Sequence, residues 1–319
     1  MNAETHACFD VVALGEPLYE FSELPGQPGH WLQGFGGDTM NCAIAAARQG
    51  ARTAYITRVG DDPFGAQLCA LWERENVSLA GVELDARAHT GVYFVTHGPQ
   101  GHVFSYLRAG SAASRMRPDT LPIDLIRRTR FFHTSGITQA ISVSACDTAF
   151  AAMQAAREAG AQVVYDANLR PRLWPLARAR AVITASLAYA DVFMLSVDEA
   201  ALLCTLDQPR DILAWCAERG AKRVALKLGK DGVMGSDGQR QLQLAGHAVQ
   251  SVDATGAGDC FAGALMARMA GGDDFWQALR YANAAAALTT TGYGAVAPLP
   301  HPEHVRKLLD TTAQSGAHS

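Results

Sequence analysis

Short apolar runs recur at 9–14, 54–59, 131–134, 163–165, 192–195 and 224–226, separated by Ala/Leu-rich stretches with helical spacing. Runs this short and this rich in Val, Ile, Phe and Leu predict buried strands. Their alternation with helices predicts an α/β fold with a largely parallel sheet. The stretches at 145–159 and 278–288 are rich in alanine, which propagates a helix well and packs close against a sheet. Two places break the alternation. Residues 18–35 carry Pro25-Gly26-Gln27-Pro28-Gly29, and in 91–108 two β-like runs flank His97-Gly98-Pro99-Gln100-Gly101-His102. Both read as hairpins. Strands inserted into a βα series do not simply join a parallel interior, so they predict a small separate sheet over one end of the large one.

Composition adds bounds. With 319 residues, 49% hydrophobic and 18% charged, the chain can bury a large core as an ordinary globular enzyme. No linker or low-complexity tract appears before the polar end at 311–319, so 1–319 reads as a single domain that includes the inserted strands within about 16–35 and 90–108. The formal charge is −4 and the 27 basic residues are scattered, which argues against a nucleic-acid or membrane surface; an anionic substrate needs local arginines. Seven cysteines, an odd number with no Cys-x-x-Cys pair, argue against a disulfide framework and a structural zinc site. Residues 1–10 hold no basic stretch followed by an apolar run, and no apolar segment approaches the roughly 20 residues of a membrane helix. A cytoplasmic location is expected. His301 and His304 have metal-ligand spacing but read as surface histidines of the C-terminal stretch.

The chemistry concentrates in Asp253-Ala254-Thr255-Gly256-Ala257-Gly258-Asp259-Cys260-Phe261-Ala262-Gly263. Gly256 and Gly258 can adopt conformations closed to residues with a Cβ, so successive amides can turn toward one anion at a positive helix end. Phe261, Leu265, Met266 and Met269 recur at helical spacing and anchor the loop to a buried helix. Asp259, a carboxylate beside an anion cradle, suggests a general base for phosphoryl transfer. Taken alone, the segment is also an ordinary Gly-rich turn with an acidic first residue. A dinucleotide fingerprint would need glycine at Phe261, and a Walker A loop would need Gly-Lys-Ser/Thr where Gly229-Lys230 is followed by Asp231.

A second segment, Gly36-Gly37-Asp38-Thr39-Met40-Asn41, leads into the Ala-rich run 43–48 and then Gly50. Its glycines permit close backbone approach to a polyol, and Asn41 can donate to and accept from hydroxyls, although it can equally be a helix cap. With the Asp-x-Thr-Gly-Ala-Gly-Asp loop far downstream, this pair of motifs resembles the signatures of the ribokinase-like, or PfkB, carbohydrate kinases. The resemblance implies a three-layer α/β core with a small β-sheet lid that often forms the dimer surface. It further implies ATP and Mg²⁺, leaves a monovalent cation open, and makes Asp259 the catalytic base with the Gly256-Ala257-Gly258 backbone on the transferring phosphate.

On the lid, strand alternation puts Tyr106 and Arg108 on one face with Phe104 beside them, and Tyr93 lies on the neighbouring run. An arginine fork and a phenol facing one way suit a carboxylate, though an arginine on a strand is often merely solvated. Arg170 follows an apolar run, at the strand end where open α/β sheets bind ligands. Gly15-Glu16-Pro17, Gly-Gly-Asp-Thr, Tyr93, Tyr106-x-Arg108, Ser135-Gly136-Ile137 and Asn168-x-Arg170-Pro-Arg-x-Trp174 resemble 2-keto-3-deoxygluconate kinases across nearly the whole chain. That resemblance assigns the sugar acid to Gly37, Tyr93, Tyr106, Arg108, Ile137 and Arg170, and Asn41 joins them as the hydroxyl partner its own chemistry suggests. The resemblance assigns the nucleotide to Asn168, Ser196, Lys227, Gly229, Lys230, Gly232 and Asn283. It implies that Glu199 holds Mg²⁺ through water, although Ser196 departs from the family's Asn-x-x-Glu. The expected reaction is ATP-dependent phosphorylation of the C6 hydroxyl of 2-keto-3-deoxy-D-gluconate. Open alternatives are a fructokinase or other sugar or nucleoside kinase of this fold, and a non-catalytic sugar-acid sensor; a dinucleotide oxidoreductase is disfavoured.

Overall fold

The computed structural model describes residues 9–24, 26–98 and 101–316. Cys8, the first residues, Pro25, the tip of the 97–102 turn and the last residues of the polar end lie outside them. The predicted alternation forms a nine-stranded sheet. Its strands are β1 (Phe9–Leu14), β4 (Thr53–Gly60), β5 (Val77–Asp85), β8 (Thr129–Ser135), β9 (Gln162–Asp166), β10 (Val192–Ser196), β11 (Arg223–Lys227), β12 (Val233–Ser236) and β13 (Gln241–Leu244). They lie in the order β13-β12-β11-β10-β9-β8-β1-β4-β5. From β11 to β5 every neighbouring pair is parallel, and the β11–β12 and β12–β13 pairs are antiparallel.

Both faces of the sheet are covered, which makes three layers. On β1, Val11 and Ala13 join one core cluster with the helices Asp38–Arg48, Ala257–Ala270 and Phe275–Thr289; Val12 and Leu14 join a second with the helices Val143–Glu158 and Leu176–Leu187. A strand buried on both sides reads as a continuous apolar run, which is why these strands are visible in the sequence. β5, β12 and β13 are not. β5 is an edge strand with Ser, Ala, Gly, Glu and Asp among its nine residues and is mostly half-exposed or exposed, and β12 and β13 have four residues each.

The two predicted hairpins are present: β2 (Leu18–Glu23) pairs with β3 (Trp31–Gly36), and β6 (Val92–Gly98) with β7 (Gly101–Leu107), both antiparallel. They join through a parallel β2–β6 pairing into a separate four-stranded sheet, β3-β2-β6-β7. No helix among the described residues is long and apolar enough to cross a membrane. The six described cysteines are free.

The large sheet reverses strand order at β8–β1, so its carboxyl edge offers a ligand crevice there. Glu16 follows β1, Ile137 follows β8, and Asp166, Ser196 and Lys227 end β9, β10 and β11. The helices that start at Asp38 and Ala257 bring their N-terminal residues to the same cluster of side chains.

Candidate active site

Two glycines set the entry to these helices. Gly37 caps the first with φ +125°, and a Cβ on it would meet the Glu16 carbonyl oxygen at 2.4 Å. Gly256 caps the second with φ +77°, and its Cβ would meet the Ala295 carbonyl oxygen at 2.8 Å. Both positions therefore exclude other side chains. A third glycine brings the helices together: a Cβ on Gly263 would lie 2.4 Å from the Cys42 carbonyl oxygen and 2.7 Å from the Ala45 Cβ. At that close approach Asn41 Nδ2 donates to Asp259 Oδ2 at 2.8 Å.

Asp259 keeps some solvent-accessible surface, but protein surrounds its carboxyl on most sides. Burial, reinforced by the negative charges of Asp38 and Asp166, pushes its pKa up to about 7, against the opposing pull of Asn41 and Lys227. A base that takes its proton late in phosphoryl transfer does not require such a shift. The carboxylates that supply part of it come from other segments of the chain.

The cradle differs in detail from expectation. Gly258 lies inside the helix without positive φ, so a special backbone conformation is not what favours glycine there; a Cβ would sit 3.3 Å from Lys227 Nζ. The Ala257 amide is used, donating to the Ala254 carbonyl at 3.2 Å. From Ala254 to Asp259, the amides without an acceptor among the described residues are those of Ala254, Gly256, Gly258 and Asp259. Asp253 braces the loop by accepting from Thr255 N (2.9 Å), Thr255 Oγ1 (2.7 Å) and Gly294 N (2.9 Å).

These differences separate the two glycines experimentally. Gly256→Ala is expected to lower unfolding free energy by about 1–3 kcal/mol through strain at positive φ. Gly258→Ala fills a helical position and should leave stability unchanged or raise it by up to about 1 kcal/mol. Urea unfolding of both variants checks this, and the reverse ranking would contradict the loop geometry.

Opposite the loop, Lys227 Nζ donates to both oxygens of Asp166, at 3.0 and 2.8 Å. Burial works against the lysine's charge, but Asp166, Glu199 and Asp259 outweigh it and hold the pKa above the ordinary value. Asn168, at φ +34°, donates from Nδ2 to Asp38 Oδ2 at 2.8 Å. Asp38 Oδ1 and Asn41 Oδ1 are buried acceptors with no donor among the described residues. Such orphaned acceptors suit a ligand rich in hydroxyls. Asp38 and Asp166 carry no role in the sequence reading; the signal available was a carboxylate beside a Gly-Gly turn and another at the end of an apolar run.

At the lid, Tyr93 and Tyr106 pair across β6 and β7 and stack at 5.7 Å, with the Arg108 guanidinium 5.5 Å from the Tyr106 ring centre. The expected shared face is present. Its charge is not free, however. Arg108 Nε donates to Glu16 Oε2 at 2.7 Å, Nη2 bonds the same oxygen, and Ser111 Oγ donates to Glu16 Oε1 at 2.6 Å. Glu16 is 1% exposed, so this side of the guanidinium fork is committed inside the protein and the Nη1 end is left. Tyr93 donates its hydroxyl to Glu20, and burial beside that carboxylate raises the phenol well above its usual value.

Arg170 does not stand free either: its Nη1 contacts the Leu169 carbonyl (3.1 Å) and Glu199 Oε1 (3.4 Å). Glu199 also accepts from Leu169 N (3.0 Å) and from Ser196 N (2.8 Å), while Ser196 Oγ accepts from Glu199 N (3.2 Å). The Ser196–Glu199 pair is thus a capping box, and both carboxylate oxygens of Glu199 already have donors. Asn283 donates to the Ala245 carbonyl at 2.8 Å, and a Cβ on Gly232 would meet the Leu244 carbonyl oxygen at 2.1 Å, so both residues order the 244–246 segment. Gly229, at φ +60°, and Lys230 form the turn before it. Ile137 is half-buried in the short helix Gly136–Ala140. No three His, Cys, Asp or Glu side chains form a metal cage among the described residues. The separate carboxylates around Lys227 fit a divalent ion carried mainly by phosphate oxygens and water.

A helix N-terminus with unused amides, a half-buried carboxyl with a pKa near neutrality and orphaned acceptors for hydroxyls are what phosphoryl transfer to a polyol would need. Comparison with known proteins agrees. Residues 6–302 match the pfkB family carbohydrate kinase profile. Probable fructokinase-4 of Arabidopsis thaliana is 35% identical, covering 94% of this chain and 96% of its own. The 2-dehydro-3-deoxygluconokinase of Thermoproteus tenax is also 35% identical, covering 95% of each. Among solved structures, a putative ribokinase II from E. coli in complex with ATP and Mg²⁺ superposes with a TM-score of 0.87 at 26% identity, over 94% of this chain and 99% of that one. The chain belongs to the pfkB family of carbohydrate kinases and has the ribokinase-like fold.

Proposed function

We propose that the protein transfers the γ-phosphoryl group of ATP to the C6 hydroxyl of 2-keto-3-deoxy-D-gluconate, with the whole chain acting as one kinase unit and the four-stranded sheet as its lid. The observation that carries this reading is the Tyr93–Tyr106–Arg108 stack on the lid, a phenol pair with a guanidinium end available to a carboxylate. Similarity to the Thermoproteus enzyme supports it.

In the reaction Asp259 accepts the C6 hydroxyl proton as the new O–P bond forms, and the bond from γ-phosphorus to the bridging oxygen breaks to release ADP. Asn41 holds the carboxylate by its Oδ2, leaving the other oxygen for the acceptor. The amides of Gly256, Gly258 and Asp259 face the charge that builds on the phosphoryl oxygens, and Lys227 adds a fixed cation near Gly258. When bound on the nucleotide, Mg²⁺ would supply further charge neutralisation, and Glu199, with Asp166 beside it, would hold it through water. Gly229, Lys230 and Gly232 line the nucleotide side, and Asn283 shapes it through the 244–246 segment. Exposed Trp31, Leu32, Val103 and Leu107 on the lid sheet suit a homo-oligomer formed through that sheet.

A second reading, phosphorylation of a neutral ketohexose, is favoured by the Glu16 carboxylate that already neutralises Arg108. Similarity to fructokinases points the same way. ADP release with 2-keto-3-deoxygluconate, 2-keto-3-deoxygalactonate, 2-ketogluconate, fructose and ribose side by side decides between them. A 2-keto-3-deoxy acid should give the highest kcat/KM. Arg108→Lys, which keeps the charge for Glu16 but loses the planar fork, should lower kcat/KM for the acid by roughly one to two decades with little change in KM for ATP. Preference for fructose, or an equal loss on acid and neutral substrates, would favour the second reading.

A further inference from the structure

At the β4–β5 edge of the large sheet lies a cleft that none of the residues assigned above enters. Two cavities of about 390 Å³ and about 470 Å³ share Arg58, Arg117 and Thr120 in their walls. The first has an apolar wall of Ile56, Val82, Met116, Leu121 and Pro122, with Glu83 at its polar side paired to Arg58. The second is walled by Arg58, Arg87, Arg115 and Arg117 with Ser114 and Ser144, and has no acidic lining residue. In a chain of net charge −4 with otherwise scattered basic residues, such a concentration of guanidinium groups calls for an account.

Internal ion pairs do not exhaust it. Arg58 pairs with Glu83 (3.1 Å) and Asp85 (3.0 Å), Arg115 lies 3.7 Å from Asp85, and Arg117 pairs with Asp119 in an exposed setting. Three carboxylates thus face four guanidinium groups. Arg87 makes no hydrogen bond or close ion pair through its guanidinium among the described residues, although its charge helps hold the Asp85 carboxyl below its ordinary value. The exposed guanidinium groups of Arg87, Arg115 and Arg117 suit a doubly charged tetrahedral anion, and the apolar arm suits the body that carries it.

The cleft is also wired to the lid. Ser114 Oγ donates to the Ser111 carbonyl at 2.7 Å, and Ser111 Oγ donates to the Glu16 carboxylate that holds Arg108. On the other wall Thr57 Oγ1 donates to the Gly15 carbonyl at 2.7 Å. The segment 108–117 therefore runs from the lid arginine to the cleft arginines. We infer that this cleft is an effector site for a small phosphate monoester with an apolar body, read out through the 108–117 segment.

Calorimetric titration with phenyl phosphate, inorganic phosphate and benzoate tests the site. Phenyl phosphate is expected to bind more tightly than inorganic phosphate, which lacks the ring, and than benzoate, whose planar carboxylate carries a single charge. Arg87→Glu, at an exposed position outside the phosphoryl-transfer site, should raise its Kd at least about tenfold while leaving KM for ATP unchanged. In wild type, phenyl phosphate should slow amide hydrogen exchange at 103–117. Absence of binding, binding unaffected by Arg87→Glu, or binding displaced by a non-hydrolysable ATP analogue would overturn the site; binding without slower exchange beyond Ser114 would overturn the effector role.

Discussion

Asp259→Asn is expected to lower kcat by roughly 10²- to 10⁴-fold, the usual loss when a general base is removed, with the fold and ATP affinity retained. Retention of more than a tenth of wild-type kcat would exclude Asp259 as the base. The raised pKa adds two signatures. Because the base must be unprotonated, kcat/KM of the wild type should rise with pH and level off above about 7. Asp38→Asn removes a neighbouring negative charge and should move that limb to lower pH.

The second signature is stability. The carboxyl's pKa is about 7 in the folded protein against an ordinary value of 3.8, so between those values the native state holds the proton that the unfolded chain releases. Its favourable contribution is complete below about pH 4 and is lost as pH rises through 7. The replacing asparagine does not titrate, so Asp259→Asn should be more stable than wild type at pH 8 by on the order of a few kcal/mol, with the gap closing toward pH 4. Urea unfolding at both pH values measures it; equal stability at pH 8 would mean that the carboxylate is well solvated.

Glu16→Ala is expected to be the most damaging single change at the lid base. Glu16 is buried, takes two donors from Arg108 and one from Ser111, and Arg108 has a side chain only 13% exposed. Removing one member of such a pair leaves an uncompensated buried charge, which costs about 3–5 kcal/mol. Glu16→Ala/Arg108→Leu should recover part of that loss, since neither charge remains. Turnover should fall in both variants, because the guanidinium beside Tyr106 is displaced in the first and absent in the second. If Glu16→Ala alone costs less than about 1 kcal/mol, the ion pair is effectively solvated and the whole guanidinium is free for substrate.

Much of this architecture is legible because local and global preferences coincide. Strands buried on both faces appear as apolar runs, alanine-rich stretches are helices, and turn-rich hairpins form the separate sheet. Gly256 at positive φ in the loop before Asp259 is equally local. The edge strand Val77–Asp85 is hidden because its half-exposed residues need no apolar pattern; its pairing with β4 makes it a strand. Gly258 resembles Gly256 in sequence, but helix continuation sets its backbone and Lys227 sets its space.

What the sequence by itself determined is therefore the alternation of strands and helices, the inserted hairpins, and the Gly-Ala-Gly-Asp loop that marks a carbohydrate kinase. These depend on backbone conformation and burial period, which neighbouring residues encode. The tertiary structure alone decided which partner each charge takes. Asn41 reaches Asp259 across 218 positions because Gly263 lets two helices touch; Arg108 turns to Glu16 and Arg170 to Glu199; burial, with the charges of Asp38 and Asp166, raises the Asp259 carboxyl toward neutrality. Electrostatic interactions depend on distance in space and on exclusion of water, and residue order along the chain specifies neither until the helices and sheets have packed.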